Sequence, residues 1–322
     1  MVFFRHDTQL TEIAQQILEE IFQEFPTLAR DQIALTWIVY DYPVIVNTGG
    51  ALSAEEFWQY EVRGFSYRGF ERIYPASIVK LFYLVAIEEW LEEGMISDSL
   101  ELQRAIRDSI IDSSNDATSL ILDTLTGTTS GPELPPGPFE TWKQQRNIVN
   151  RYFKSLGWSE LDAININQKP WNEGPYGREK AFLGEMMENR NMLTTDSIAR
   201  LLHSIIGGVA VSSDRSSQMM QLLKRSLNPK DLAKYEGEEN QITGFLGESL
   251  PTNAQIWSKA GWTSQVRHDA AYIEIPQLQP YLLVVFTKGK DNAQNKQILP
   301  FISRVFIRVM SDLKSQNSGV RS

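Results

Sequence analysis

Ser77 and Lys80 lie three positions apart at the start of an apolar segment, residues 74–94. If this segment is helical, the two side chains share one face and can touch. The positive end of a helix dipole favours negative charge developing on a serine oxygen there. Partial burial makes a lysine lose its proton more readily, and a neutral amine can take the proton of a neighbouring hydroxyl. The pair is therefore a candidate nucleophile and base, although a serine in a first helical turn is also a common cap and the same spacing recurs near the C-terminus.

Two further patterns carry polar groups that could serve such a nucleophile. Ser113 and Asn115 lie between two predicted helices, where they could relay a proton and hold a substrate amide, or else cap the second helix. Lys259 and Gly261 lie at the end of a predicted strand. A glycine lets a ligand approach the strand edge and the lysine could bind a carboxylate, although a lysine at a strand end can also be simply solvated.

The order of predicted elements indicates how these patterns could be brought together. Apolar residues recur at helical spacing over 8–25, 100–111, 117–125, 142–156, 198–206, 214–226 and 298–313. β-branched and aromatic runs predict strands at 33–40, 44–47, 254–259, 270–275 and 281–286, while 50–73 fits neither pattern and 126–139 and 158–190 are predicted loops.

Strands at both ends and helices in the middle predict an α+β fold, an α/β sandwich. An antiparallel sheet from both chain ends would be flanked by the terminal helices, with an all-helical lobe inserted. The expected sheet lobe comprises 1–75 and 240–322 and the expected helical lobe comprises 76–239, with the active site in the cleft between them.

Composition excludes several classes of function. The chain has 322 residues, with 40 acidic and 31 basic side chains and a net charge of −9, so nucleic acid is not an expected partner. It has no cysteine, and its histidines (His6, His203 and His268) are far apart in sequence, so neither a metal nor another cofactor is expected. No apolar run reaches the ~18 residues of a membrane span. The N-terminus lacks the features of a signal peptide, so the chain is expected to be cytoplasmic or an exported protein trimmed of its signal.

In chain order, Ser-x-x-Lys at 77–80, Ser-x-Asn at 113–115 and Lys-x-Gly at 259–261 resemble the signature set of serine β-lactamases and penicillin-binding proteins. Residues 113–122, Ser-Ser-Asn-Asp-Ala-Thr-Ser-Leu-Ile-Leu, are similar to the second motif and following helix of class A β-lactamases. Residues 191–202 are similar to the segment just after that family's omega loop. The resemblance spans essentially the whole chain.

The resemblance implies that Ser77 is the acylated nucleophile and that Lys80 is a base or proton relay. Ser113 would pass a proton to the leaving nitrogen, and Asn115 would hold a substrate amide. The N–H of Ser77, with one from the strand just after Gly261, would form the oxyanion hole.

The resemblance also implies a binding site for the substrate carboxylate. Lys259 would bind it, and Arg267 could add a second cation or be a solvated charge at the sheet edge. The family usually has a serine or threonine between the lysine and the glycine, but here that position is Ala260. The missing hydroxyl should weaken β-lactam binding by about 1–2 kcal/mol if nothing replaces it.

Two other departures from the family concern the cleft and the omega loop. Ser113 follows Ser77 more closely than is usual, so one wall of the cleft is expected to be short. The loop has no clear copy of the glutamate that activates the deacylating water. Glu173, Glu179 and Glu185 are candidates, with Glu179 nearest the expected distance, or each is a surface charge. Without that glutamate the acyl-enzyme would be released slowly.

The predicted function is that of a β-lactamase-like serine hydrolase that opens β-lactam amides through an acyl-Ser77 intermediate, with roles in antibiotic resistance and β-lactam catabolism. The alternatives are a D-Ala-D-Ala carboxypeptidase or esterase of penicillin-binding-protein type, and a non-catalytic domain that retains the fold. The expected partner is a small-molecule or peptide amide substrate with a carboxylate, and the chain is expected to be a monomer.

Overall fold

A computed structural model describes residues 3–41, 50–235 and 240–319 of the chain. The strands in these ranges are β1 (Phe4–His6), β2 (Ile33–Val39), β3 (Val62–Tyr67), β4 (Lys224–Arg225), β5 (Gln255–Trp262), β6 (Val266–Glu274) and β7 (Tyr281–Lys288). The α-helices are α1 (Thr8–Glu24), α2 (Ala54–Gln59), α3 (Lys80–Glu92), α4 (Leu100–Ile111), α5 (Asn115–Thr126), α6 (Pro136–Arg146), α7 (Ile148–Ser155), α8 (Gly177–Leu183), α9 (Thr195–Ile206), α10 (Ser213–Leu223), α11 (Pro229–Leu232), α12 (Lys290–Gln294) and α13 (Ile298–Gly319). Short 3-10 helices occupy Ala76–Val79, Ser159–Leu161, Ala233–Tyr235 and Leu246–Ser249.

The strands form one sheet in the order β1-β3-β2-β7-β6-β5-β4. All neighbouring pairs are antiparallel except β1 and β3, which are parallel. The predicted α+β architecture, with a sheet built from both chain ends and helices between them, is confirmed. The sheet also takes the two-residue strand β4 from inside the segment expected to be helical, and the lobe boundaries at residues 75 and 240 stay predictions.

The two faces of the sheet carry separate cores. On β6, Ala270 and Tyr272 pack with the apolar side chains of α3 and α9, whereas Ala271 and Ile273 pack with those of α1 and α13. This alternation follows from the two-residue period of a strand. Side chains on opposite faces of β5 and β6 therefore enter different environments, and only the face towards α3 can contribute to a site with Ser77 and Lys80.

Most predicted helices are confirmed, and α4 matches its predicted range. Several segments differ from the predictions. The single helix predicted over 142–156 is divided at Asn147 between α6 and α7. Residues 50–73 contain α2 and β3, and β3 rather than 44–47 is the described partner of β2 on that side; residues 44–47 lie outside the described part. Helix α6 begins inside the predicted loop 126–139 with proline in its first turn, where the missing N–H has no intrahelical partner. Helix α8 occupies part of the predicted loop 158–190.

None of the helices in the described ranges is long and apolar enough to cross a lipid bilayer.

Candidate active site

The chain reaches Ser77 through a tight turn rather than a regular helix. Residues 76–79 form a 3-10 helix and α3 begins only at Lys80. Ala76 has a φ of 47°, a conformation that is costly for a residue with a β-carbon and persists only where the surroundings enforce it. The turn therefore depends on contacts from the rest of the fold to hold Ser77, whose side chain is half-buried.

His268 provides one of these contacts from the sheet. Its Nδ1 accepts a hydrogen bond of 3.1 Å from the Thr287 N–H, so the proton lies on Nε2, which donates to the Tyr74 carbonyl at 2.9 Å. The ring is fully buried and stacks on Phe286, and burial lowers the pKa of His268 to about 4. A neutral histidine on β6 thus fixes the backbone three residues before Ser77.

Gly261 provides the second contact. A β-carbon at this position would lie 2.8 Å from the Pro75 carbonyl oxygen and 3.0 Å from the Ile78 amide nitrogen. The end of β5 therefore approaches the backbone on both sides of Ser77 more closely than any other residue type permits. This brings the predicted Lys-x-Gly segment directly against the predicted nucleophile.

Lys80 is buried at the start of α3, with 1% of its surface exposed. Its Nζ donates to the Asn115 side-chain oxygen at 2.9 Å, to the Ser113 hydroxyl at 3.2 Å and to the Ser113 carbonyl. Burial lowers the pKa of Lys80 to about 7, so a large fraction of the amine is neutral near neutral pH. The Ser77 hydroxyl makes no hydrogen bond to any described residue.

Ser113 lies between the two lysines. Its Oγ accepts from Lys259 Nζ at 2.9 Å and from Lys80 Nζ at 3.2 Å. The residue has a φ of 56°, which turns the chain sharply between α4 and α5. Lys259 is fully buried on β5, and burial, together with the charges of Lys80 and Arg225, lowers the pKa of Lys259 well below its usual value.

Asn115 is joined to the loop 158–190 by a contact that the sequence did not reveal. Its Nδ2 donates to the side-chain oxygen of Asn172 at 2.5 Å, while its own oxygen accepts from Lys80. Asn172 has an exposed side chain. Among the described residues of this loop, Asn172 is the one whose side chain hydrogen-bonds to a predicted site residue. Its side chain is an amide rather than a carboxylate.

The three glutamates of the loop have other surroundings. Glu179 is fully buried, where its Oε1 accepts from Arg146 Nη2 at 2.6 Å and from the Ser130 hydroxyl at 2.9 Å. The alternative that Glu179 is a surface charge is therefore wrong; it anchors the loop to α6. Glu173 and Glu185 are exposed. That any of the three activates water stays a prediction.

Arg267 lies on the other face of the sheet from Lys259. Its guanidinium packs over the Phe245 ring, and its Nε donates to the Ala293 carbonyl at 2.9 Å. Only 4% of the residue is exposed, so the alternative of a solvated sheet-edge charge is wrong. The structure gives no support to a second cation for the substrate carboxylate at this position, because residue 267 shares the strand face of Ala271, which packs with α1 and α13.

Gln241 is the other site residue that the sequence did not reveal. Its Oε1 accepts from Lys259 Nζ at 2.7 Å and from the Ala260 N–H at 3.2 Å. It lies in an irregular segment before β5 and matches no motif, so only the tertiary structure shows its proximity to Lys259. Within the described ranges, no group of three or more acidic or histidine side chains could hold a metal ion.

The structure thus links four of the predicted site residues by hydrogen bonds, namely Lys80, Ser113, Asn115 and Lys259. It places the other two, Ser77 and Gly261, in adjoining backbone segments. Their roles in binding and catalysis stay predictions.

Comparison with solved structures identifies the same fold in several proteins. A PBP-A mutant in acyl-enzyme complex with penicillin G is 16% identical, with a TM-score of 0.63 over 96% of this chain and 98% of that chain. A β-lactamase from Sphaerobacter thermophilus is 17% identical, with a TM-score of 0.57 over 92% and 97% of the two chains. A β-lactamase from Chitinophaga pinensis is 14% identical, with a TM-score of 0.61 over 92% and 98%.

No curated protein matches the sequence. The model of the β-lactamase enzyme family matches residues 97–309, a range that begins after Ser77 and Lys80 and contains Ser113, Asn115 and Lys259. This match covers more than half of the chain. The protein therefore belongs to the β-lactamase enzyme family.

Proposed function

We propose that this protein is a serine hydrolase in which Ser77 is acylated by β-lactam amides. The observation that carries the proposal is the position of the Ser113 hydroxyl, 3.2 Å from Lys80 Nζ and 2.9 Å from Lys259 Nζ. Two buried amines and a hydroxyl in contact form a path along which a proton can move. The turn that carries Ser77 adjoins this path at Lys80.

In the proposed acylation, the Ser77 oxygen attacks the carbonyl carbon of the β-lactam. Its proton passes to the neutral amine of Lys80, whose pKa of about 7 makes that form available. The oxyanion formed at the carbonyl accepts hydrogen bonds from the backbone N–H groups of Ser77 and Trp262, which the close approach of Gly261 to the Ser77 turn would bring together.

The second half of acylation breaks the carbon–nitrogen bond of the β-lactam ring. The leaving nitrogen takes the proton of the Ser113 hydroxyl, and Ser113 is reprotonated from the Lys80 ammonium. Atoms and charge balance: the ring opens, the nitrogen gains the proton that left Ser77, and Lys80 returns to its neutral form. Asn115 would hold the side-chain amide of the substrate.

Deacylation requires a water molecule and a base to activate it. The residue that reaches Asn115 from the loop 158–190 is Asn172, whose amide does not accept a proton near neutral pH. We therefore expect acyl-Ser77 to be long-lived. This observation favours the second candidate function, a D-Ala-D-Ala carboxypeptidase or esterase of penicillin-binding-protein type, in which β-lactams act as slow substrates.

Turnover and trapping are distinguished by one pair of measurements. Nitrocefin hydrolysis is followed spectrophotometrically, and the intact mass is recorded after incubation with penicillin G. Rapid hydrolysis without an adduct supports a β-lactamase, whereas a persistent adduct without hydrolysis supports the penicillin-binding type. Neither hydrolysis nor adduct, from protein that is folded by circular dichroism, would leave the non-catalytic alternative.

A further inference from the structure

The side-chain amide of Gln241 bridges the helical part of the molecule and the end of β5. Its Nε2 donates to the carbonyl oxygens of Ile110 at 3.0 Å and Ile111 at 2.8 Å, at the end of α4. Its Oε1 accepts from Lys259 and Ala260. All four hydrogen-bonding positions of the amide are used, and flipping it would set its oxygen against two carbonyl oxygens, so its orientation is settled by its neighbours. Only 7% of the residue is exposed.

All three hydrogen-bonding positions of Lys259 Nζ are taken in this arrangement. The amine contacts the Ser113 hydroxyl at 2.9 Å, Gln241 Oε1 at 2.7 Å and the Ala260 carbonyl at 2.9 Å. The side chain of Lys259 is fully buried. A substrate carboxylate can therefore reach this amine only by taking the place of one of these three oxygens. The Ala260 carbonyl belongs to the backbone and the Ser113 hydroxyl is required for the proposed proton transfer, so the Gln241 oxygen is the one that can be replaced.

Displacing Gln241 has an energetic cost in this site. The amide would lose its bonds to Lys259 and Ala260, and its N–H groups would leave two carbonyls at the end of α4 without these donors. In return the carboxylate would meet an amine whose pKa burial has lowered well below its usual value, and a neutral amine attracts an anion less than an ammonium does.

We propose that Gln241 determines substrate specificity by occupying the carboxylate position beside Lys259. The inference rests on the proposed acylation of Ser77 and names the class of acyl donor, that is, of substrate, that this site accepts. Esters and amides without a carboxylate next to the scissile bond acylate Ser77 with Gln241 in place. Donors that carry this carboxylate react only after Gln241 has moved.

Truncation of Gln241 offers a direct way to open this position. The residue also lines a cavity of about 420 Å³, together with Ile111, Lys224 and Trp262. Removing the side chain would connect this space with Lys259 Nζ and leave room for a carboxylate. Gln255, which lies on the same strand as Lys259, is a suitable control. It is an exposed glutamine whose side-chain oxygen accepts from Lys224 at 3.1 Å.

The test compares penicillin G with its methyl ester, which share one β-lactam ring and differ in the carboxylate. Acylation rates are measured by intact mass for the wild-type protein, Gln241→Ala and Gln255→Ala. We expect the wild-type protein and Gln255→Ala to react at least about tenfold faster with the ester than with the acid, the effect of one hydrogen bond to a strongly polar group. In Gln241→Ala the ratio of the rate with the acid to the rate with the ester should rise at least about tenfold.

Two results would overturn the inference without affecting the proposed function. They are a wild-type protein that prefers the acid, and a Gln241→Ala variant in which both rates fall by the same factor. Absence of any adduct with either probe in the wild-type protein and in both variants would instead refute the acylation of Ser77. If Gln241→Ala does not fold, as judged by thermal unfolding, Gln241→Ser, which also vacates the position beside Lys259 Nζ, is subject to the same criteria.

Discussion

The α-carbon of Gly261 faces the carbonyl of Pro75 so closely that a β-carbon would lie 2.8 Å from that oxygen. The obstacle is backbone rather than a flexible side chain, so it cannot move aside without shifting the Ser77 turn. This contact joins the strand that carries Lys259 to the turn that carries the proposed nucleophile. The relative position of the two halves of the site thus depends on a residue with no side chain.

The first prediction concerns this contact. Gly261→Ala should lower the rate of Ser77 acylation by at least about tenfold and destabilise the fold by about 1–3 kcal/mol, the range for overpacking a close contact. Gly137→Ala is the matched control, because a β-carbon at Gly137 meets nothing within 4 Å. Acylation is measured with fluorescent penicillin and stability by urea unfolding. A Gly261→Ala variant that acylates as fast as the wild-type protein would show that the contact does not position Ser77.

The second prediction concerns the pH dependence of acylation. The base must be neutral to take the Ser77 proton, and burial lowers the pKa of Lys80 to about 7. The acylation rate should therefore rise with pH, reach half of its maximum near pH 7 and level off above it. Lys80→Met, which keeps much of the volume and removes the amine, should abolish the reaction. A rate that does not change between about pH 5 and 9 would rule out Lys80 as the base.

The third prediction concerns the lifetime of the acyl-enzyme. Asn172→Asp places a carboxylate beside Asn115 and keeps the acceptor of the 2.5 Å hydrogen bond. A general base typically contributes about 10²–10⁴-fold, so the variant should release the acyl group at least about tenfold faster than the wild-type protein. The measurement is loss of the penicillin adduct by intact mass after removal of free penicillin.

Glu173→Gln is the control for this experiment, because it changes the neighbouring exposed side chain. We expect the adduct of this variant to decay at the wild-type rate. Slower decay in Glu173→Gln, with no change in Asn172→Asp, would identify Glu173 as the base. It would contradict the inference that the residue contacting Asn115 from this loop occupies the position where a deacylation base would act.

The fourth prediction concerns His268 and stability at acid pH. The pKa of this buried ring is about 4 in the folded protein, against about 6.5 in an unfolded chain. Between these values the unfolded state binds the proton and the folded state does not, so the contribution of His268 to stability is present above pH 6.5 and is lost as the pH falls towards 4.

A variant without the titrating ring makes this effect measurable. The free energy of unfolding of the wild-type protein minus that of His268→Gln should decrease by about 2 kcal/mol between pH 7 and pH 5. Urea unfolding at both pH values provides the numbers. A difference that is independent of pH would mean that His268 is not held neutral in the folded protein.

Most helices and strands of this fold could be predicted from the sequence, because the local spacing of apolar residues matches the elements that form. The apolar period over 100–111 gives α4 with the same bounds, and the β-branched run at 33–40 gives β2 over Ile33–Val39. The start of the Ser77 segment differs, because the 3-10 turn over 76–79 depends on contacts with Gly261 and His268. Those contacts come from strands almost two hundred residues later in the chain.

The candidate site was predictable only in part, for the same reason. Short motifs identified Lys80, Ser113 and Lys259, which the structure brings together. Asn172 and Gln241 have no motif of their own, and their contacts join residues that are 57 and 18 positions apart. Only the packed structure shows that the Asn172 amide contacts Asn115 and that the Gln241 amide hydrogen-bonds to Lys259.

The most direct test of the account is the location of the penicillin adduct. Trypsin releases residues 73–80 as one peptide, in which Ser77 is the only serine. After reaction with penicillin G, tandem mass spectrometry should show the adduct on Ser77 in this peptide, and Ser77→Ala should remain unlabelled. An adduct on another residue, or labelling that persists in Ser77→Ala, would contradict the assignment of Ser77 as the nucleophile.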